Sequence, residues 1–230
     1  MTQPTRRTTG QVNIMNTTIR AAFLGLAITS LAAVGCDDPS KGKSKATTGE
    51  AVSTSSQSAV ATGAAAKYTF DQSASKVSWT GSKVTGKHEG GFNTFTGNVD
   101  LVDGAPEKSK VNVDIDAGSL TADSEKLVGH LKSPDFFDTA KFPKATFAST
   151  EIKKGGEKGA THTVTGNLTL KGVTKSVTFP ASITVAGDTA SVDAEFSINR
   201  QDFGLTYAGK ADDLIRNDVV IKLAIKAKKS

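Results

Sequence analysis

HLKSPDFFDTAKFPKATFAST, residues 130–150, is the stretch of sequence that says most about the fold. Pro134 and Pro143 interrupt it, so we predict a broken helical connection that leads into a strand. Apolar side chains this dense in a connection must pack either on the core or on an apolar cavity that the connection covers. Four of the chain's eleven phenylalanines fall here: Phe136, Phe137, Phe142 and Phe147.

The N-terminal 35 residues have the features of a secretory signal peptide. Ala21 to Gly35 form an uncharged apolar run, shorter than the roughly 20 residues that span a bilayer. Either Met1 or Met15 begins this signal. The run ends in Leu-Ala-Ala-Val-Gly-Cys36, which resembles a bacterial lipobox and predicts that Cys36 is acylated. The alternative is a soluble periplasmic protein cleaved nearby.

The composition changes after the signal peptide, which occupies residues 1–35. Residues 36–66 have no aromatic side chain and are rich in Ser, Thr, Ala and Lys, so we predict a disordered linker. Residues 67–230 alternate apolar and polar side chains and form the predicted folded domain. Without the three signal arginines the chain has 25 basic and 23 acidic side chains, and basic residues are not interleaved with aromatics. Nucleic-acid binding is therefore not expected.

Period-two alternation predicts eight strands in the folded domain. Antiparallel strands with short turns form either a sandwich or a closed barrel, and the simple hairpins favour an all-β, up-and-down barrel without exposed edges. Between the third and fourth strands, residues 121–141 are predicted to form a short helical hairpin across one mouth. Its first helix would begin after Asp123 or Ser124, and its second at Ser133-Pro134. The predicted strands are 76–82, 92–102, 110–116, 145–152, 163–170, 174–185, 189–198 and 218–226.

The chain lacks the residue patterns of common catalytic and metal sites. His88, His130 and His162 are far apart and form neither an H-x-H nor an H-E-x-x-H motif. A G-x-S-x-G nucleophile elbow is also missing. We therefore predict no catalytic residue, no metal, no cofactor and no enzymatic activity.

Several blocks of the sequence resemble the YceI-like family of bacterial envelope proteins. The resemblance implies a lipocalin-like barrel that binds polyisoprenoid chains. Val128-Gly129 stands where family members usually carry a charged pair, which puts any role of that pair in doubt here. The matching blocks are His130-Leu131, Ser133–Asp138, Phe142-Pro143, Phe147–Ser149, Val164–Thr174 and Ile198–Gly204.

An eight-stranded barrel is either filled by its own side chains or holds one small ligand. Small residues predicted to face inward, Ala145, Gly166, Ala194 and Ala224, would leave room for a narrow chain. The resemblance implies that the ligand in this space is an isoprenoid lipid, either a polyprenyl phosphate or a prenylated quinone. The barrel would sequester or carry this lipid. The predicted cavity contacts are Trp79, Phe95, Val113, Leu127, Leu131, Phe136, Phe137, Phe147, Leu168, Phe196 and Phe203.

Two other functions stay open: a filled barrel that serves as an envelope interaction or stress module, and an enzyme that acts on a lipid. Arg200 is the candidate contact for a lipid head group, and its alternative is a structural ion pair with an aspartate: Asp202, Asp212 or Asp213. The expected partners are an isoprenoid lipid and, through lipidated Cys36, the membrane; a homodimer is also open. The expected location is the periplasmic side of the bacterial envelope, anchored to the inner or outer membrane.

Overall fold

The computed structural model describes residues 38–53 and 63–230, which form a mainly antiparallel β structure with one α-helix, α1 (Glu125–Lys132). Within these ranges, no helix combines the length and the apolar character needed to cross a bilayer. The strands are β1 (Ser44–Lys45), β2 (Thr47–Glu50), β3 (Ala65–Asp71), β4 (Lys76–Lys83), β5 (Gly86–Phe92), β6 (Phe95–Val102), β7 (Ala105–Asp116), β8 (Leu120–Ala122), β9 (Lys144–Lys154), β10 (His162–Leu170), β11 (Val173–Ala186), β12 (Thr189–Asn199), β13 (Gly209–Lys210), β14 (Asp213–Leu214) and β15 (Asp218–Lys229).

Eight of these strands close into an antiparallel barrel, as predicted. Their order is β3, β6, β7, β9, β10, β11, β12, β15, and β15 pairs with β3 to complete the ring. The β6–β7, β9–β10 and β11–β12 connections lie at one end, called the hairpin end below. Helix α1 and residues 200–217, which connect β12 to β15, lie at the other, called the helix end.

The first barrel strand differs from the prediction. β3 was not predicted, and β4, predicted as a barrel strand, leads into an extension made with β5 and β8. The reason is that β3 pairs with β15 only at Lys228 and Lys229, so most of that edge of β15 is open to another strand. β4 takes it, with Lys76 to Thr80 paired to Ala224 to Val220.

A short N-terminal segment completes the barrel wall between β11 and β12. These strands pair with each other only near the hairpin end, from Ser182↔Asp193 to Ala186↔Thr189. Beyond that point β1 pairs with β12 and β2 pairs with β11. We call residues 44–50 the wall segment.

The prediction of a disordered linker at residues 36–66 is therefore wrong for the wall segment and for the start of β3. Its composition lacks the alternating apolar side chains that mark a strand, but its backbone pairs with the two barrel strands on either side. Residues 54–62 of the predicted linker lie outside the described residues, as do the signal peptide and Cys36.

The predicted helical hairpin is one helix followed by turns. α1 follows Ser124 and buries Leu131. No second helix forms at Ser133-Pro134, because the backbone N–H of Phe137 donates to the Leu131 carbonyl and turns the chain back on α1. Asp138 then adopts a left-handed conformation, with φ of 47°, that breaks any helical run.

The barrel interior follows the period-two rows. Phe179 and Phe196 stack with ring centroids 4.2 Å apart, and Phe147 lies 5.9 Å from Phe179. Ala145 and Ala194 are buried, in agreement with their predicted inward orientation. The prediction for Ala224 is wrong: the odd-numbered residues of β15 line the interior, so Ala224 lies on the exposed outer face.

Candidate functional site: an apolar barrel cavity

The barrel encloses a cavity of about 520 Å³, with contributions from all eight barrel strands. The inward rows supply nearly all of its lining; on β10, for example, Val164, Leu168 and Leu170 line it. A cavity of this size lies within the range of roughly 300–1,000 Å³ found for small-molecule sites. The barrel is therefore not filled by its own side chains.

Nine of the eleven predicted contacts line this cavity, and two do not. Phe203 is fully buried at the end of the 3₁₀ turn Arg200–Phe203 and packs in the core. Phe95, the first residue of β6, packs in a smaller core cluster with Tyr68 and Phe70. The lining residues are Trp79, Val113, Leu127, Leu131, Phe136, Phe137, Phe147, Leu168 and Phe196.

The phenylalanine-rich connection borders the cavity at the helix end. Phe136, only 6% exposed, makes an edge-on contact with the His130 ring at 5.0 Å between centroids. Tyr207 packs on both rings. Phe137 meets Phe92 edge-on at 6.3 Å. These aromatic contacts hold α1 and the following turns against the cavity, which explains the concentration of phenylalanine in a connection.

Polar side chains are concentrated at the helix end of the cavity. At the hairpin end the polar lining residue is Ser109, whereas the helix end contributes a larger group of polar lining residues. The cavity thus has an apolar length and one polar end, the arrangement that an amphipathic chain would need. The polar lining residues at the helix end are Ser82, Lys83, His88, His130, Arg200, Tyr207, Lys210 and Asp213.

Most of the ionisable side chains in this group are hydrogen-bonded. His88 Nδ1 lies 2.8 Å from Asp123 Oδ1, and this hydrogen bond lowers the pKa of the Asp123 carboxyl. Lys83 donates to Asp213 and lowers the pKa of that carboxyl in the same way. Lys210 differs, because it is exposed and its side chain forms no hydrogen bond or ion pair with residues 38–53 and 63–230.

Arg200 borders the cavity but uses its guanidinium to hold the chain. It is 4% exposed, and its Nε and Nη2 atoms donate to the carbonyls of Arg216 and Ile215 at 3.1 and 3.3 Å. Nη1 donates to the Leu205 carbonyl, and Nη2 lies 3.4 Å from Asn217 Oδ1. Burial lowers the pKa of this group.

The alternative contact of Arg200, an ion pair with an aspartate, is not formed with any of the three candidate residues in the described structure. Asp213 binds Lys83, and Asp202 accepts a hydrogen bond from Thr48 Oγ1 at 2.6 Å. Carbonyl oxygens of the 200–217 connection take the place of a carboxylate.

Some lining residues were missed from the sequence. Phe179 and Val177 belong to the inward row of β11 and could have been found from its alternation. Phe70 lies on β3, which was not predicted. Tyr207 and Lys210 lie in an irregular connection, where no periodicity marks an inward side chain.

In residues 38–53 and 63–230, no group of three or more His, Cys, Asp or Glu side chains is placed to hold a metal ion.

A model of the YceI-like domain matches residues 68–227. The chain belongs to the YceI-like family. The match begins in β3 and ends in β15, so the family region is the barrel, and the wall segment lies outside it.

Relatives and solved structures agree with this assignment. A UPF0312 protein of Pseudomonas putida (strain W619) is 37% identical over 139 residues, which is 58% of this chain and 71% of that protein. The crystal structure of Burkholderia cenocepacia BcnA is 28% identical with a TM-score of 0.59, covering 68% of this chain and 98% of BcnA.

A polyisoprenoid-binding domain from Saccharophagus degradans, implicated in plant cell wall breakdown, shares the fold of this YceI-like barrel. Its identity is 16% and its TM-score is 0.55, and the superposition covers 73% of this chain and all of that domain.

Proposed function

We propose that this protein binds an isoprenoid lipid, with the prenyl chain in the barrel cavity and the head group at the helix end. The observation that carries the proposal is the cavity of about 520 Å³ with apolar walls and polar side chains at one end. The polyisoprenoid-binding domain of Saccharophagus degradans, which has the same fold, supports the choice of ligand class.

Burial of the prenyl chain of the lipid supplies the main favourable contribution to the free energy of binding. At about 0.8 kcal/mol per buried CH₂ group, each enclosed five-carbon isoprene unit contributes roughly 4 kcal/mol before the cost of immobilising it. A few enclosed units are therefore sufficient for tight binding without catalysis. Binding of this kind suits sequestration or carriage of the lipid.

Lys210 is the residue we favour for the head group. Among the charged lining residues, Lys83, Arg200 and Lys210 are cationic and Asp213 is anionic, so the helix end favours an anion. Lys83 is paired and Arg200 holds backbone carbonyls, whereas Lys210 is exposed at the end of β13. A polyprenyl phosphate thus fits better than a quinone.

Native mass spectrometry of the purified protein, followed by lipid extraction, tests the proposal. The expected result is a co-purifying lipid with isoprene spacing, and thermal stabilisation by added farnesyl phosphate. A ligand-free protein whose unfolding temperature does not change when farnesyl phosphate is added would overturn the proposal.

Substitution of Lys210 tests the position of the head group. Lys210→Gln is expected to weaken farnesyl phosphate binding by about tenfold, as for loss of one charge-assisted contact, and to leave farnesol binding unchanged. Lys222→Gln, on the exposed outer face of β15, is the matched control. Equal loss for farnesol would contradict a head-group contact.

We further propose that acylation of Cys36 holds the protein at the periplasmic side of the envelope. The supporting observation is the lipobox-like sequence that ends at Cys36. Metabolic labelling with a palmitate analogue should label the protein and not the Cys36→Ser variant. Equal labelling of both would exclude this anchor.

A further inference from the structure

Two aromatic rings of the cavity wall lie against glycines directly opposite them on the neighbouring strand. Phe70 of β3 is paired with Gly97 of β6, and Trp79 of β4 is paired with Gly90 of β5. A Cβ atom built on Gly97 would fall within 2.5 Å of the Phe70 ring. A Cβ on Gly90 would lie 2.6 Å from Trp79 Cε2. In each pair the ring occupies the volume that a side chain would need.

A third ring follows the same pattern diagonally. Phe147 of β9 is opposite Leu168, and its ring reaches the next inward position of β10, which is Gly166. A Cβ on Gly166 would come within 2.5 Å of Phe147 Cε2. Aromatic rings that cover strand glycines are a known device for stabilising sheets. Here all three rings also line the cavity.

The glycines therefore leave the space in which the rings lie against the wall. Phe70 is 7% exposed and borders the cavity, so we expect a ring displaced from Gly97 to move toward the lumen. A single methyl group on Gly97 would thus narrow the cavity from its side, without any change in the residues that contact the ligand.

We propose that Gly97, with Gly90 and Gly166, sets the width of the cavity and so admits a methyl-branched chain rather than only a straight one. This inference rests on the proposed function, because it specifies which chains the cavity accepts. Gly97 is the position to test, since the three atoms nearest its added Cβ all belong to the Phe70 ring. At Gly90 and Gly166 the added Cβ would also meet backbone oxygens, those of Thr121 and Ala148.

Farnesol and dodecan-1-ol are suitable probes, because they have the same main-chain length and only farnesol carries methyl branches. For Gly97→Ala, farnesol affinity is expected to fall by about tenfold, the scale of an overpacked site, and dodecan-1-ol affinity by less. In the double variant Phe70→Leu/Gly97→Ala the displaced ring is absent, so farnesol affinity should return to within about threefold of the unmodified protein.

Gly86→Ala is the matched control, because Gly86 is also a strand glycine and a Cβ there has no neighbour within 4 Å. Farnesol affinity should be unchanged in this variant. A folded Gly97→Ala protein that binds both alcohols as the unmodified protein does would overturn the inference and leave the proposed function intact. An unmodified protein that binds neither alcohol would overturn the proposed function, and this inference with it.

If Gly97→Ala does not fold, Phe70→Leu alone decides the question. It widens the cavity at the same position, so the ratio of farnesol to dodecan-1-ol affinity should rise. An unchanged ratio would show that the Phe70–Gly97 pair does not set the width.

Discussion

Two segments complete the barrel near its helix end, and they are held by different means. The 200–217 connection is fixed from inside by the buried Arg200 guanidinium, which donates to carbonyls of Leu205, Ile215 and Arg216. The wall segment, residues 44–50, is held by backbone pairing with β11 and β12 and by side-chain contacts at the surface. Its one buried apolar side chain is Ala46, 6% exposed. Ion pairs at the surface join its Glu50 to Lys175 and the preceding Lys43 to Glu195.

The two segments differ in how much stability the loss of their side-chain contacts would remove. Loss of the Arg200 contacts would leave one buried and two part-buried carbonyls without these donors, which lowers stability more than loss of ion pairs at the surface. We therefore expect the 200–217 connection to unfold with the barrel and the wall segment to open locally. The family region, residues 68–227, includes the first segment and excludes the second.

Arg200→Ala should have the largest effect. Removal of a buried group that satisfies several carbonyls is expected to lower the free energy of unfolding by about 3–5 kcal/mol. Arg200→Lys should recover only part of this, because an ammonium cannot reproduce the planar fork of donors. Urea unfolding of the three proteins measures both. A loss below about 1 kcal/mol in the alanine variant would mean that the connection is not held by Arg200.

Ala46→Asp should release the wall segment with a smaller loss of global stability. The new carboxylate would be buried if the segment stayed in place, so the segment should undock instead. The cost is then limited to its local hydrogen bonds, at about 1 kcal/mol each. Hydrogen exchange should accelerate in peptides covering 44–50, 175–178 and 196–197.

Thr47→Asp is the control for this prediction, since Thr47 is exposed one residue away. Its exchange should match that of the unmodified protein. Unchanged exchange in the Ala46→Asp variant would contradict a locally opening segment, and an equal increase in both variants would point to a loss of strand propensity instead.

The barrel and the wall segment also differ in how far the sequence predicts them. The closed barrel, seven of its eight strands and most cavity contacts were predictable, because inward rows such as Val219, Ile221 and Leu223 recur with period two. The stretch around Phe136 was also informative, because bulky apolar side chains in a connection require a surface to cover.

The wall segment could not be predicted, for a physical reason. SKATTGE offers one small apolar side chain, and its position depends on backbone edges that β11 and β12 leave open where they separate. No local pattern encodes that gap. The role of Arg200 was missed as well: a lipid head group or an aspartate was the predicted partner, but its acceptors are mainly carbonyl oxygens, which every residue carries.

Glu195→Gln tests the outer attachment of the wall segment alone. The Lys43–Glu195 pair, 2.8 Å apart, has both side chains more than a third exposed. Its loss should lower stability by at most about 1 kcal/mol, and about 1 M salt should remove the difference. Glu151→Gln, which breaks a pair with Lys153 within β9, is a control that leaves the wall segment attached. Faster exchange of residues 44–50 is expected only in Glu195→Gln.

The smallest expected effect concerns Asp213, which attaches the 200–217 connection to Lys83 at the end of β4. The hydrogen bond from Lys83 lowers the pKa of Asp213 below its ordinary 3.8 in the folded protein. The contribution of Asp213 to stability is therefore present above that ordinary pKa and is lost as the pH falls through the lower folded value.

Urea unfolding at near-neutral and acidic pH, with Asp213→Asn as the test and the exposed Asp212→Asn as the control, measures this loss. Only Asp213→Asn should flatten the acid side of the stability profile. Because the Lys83 contact lies at the surface, even its complete loss should leave the Arg200-held part of the connection folded. An acid-induced release of Tyr207 from its contacts with Phe136 and His130 would instead show that the outer contact, and not Arg200, holds the cavity end in place.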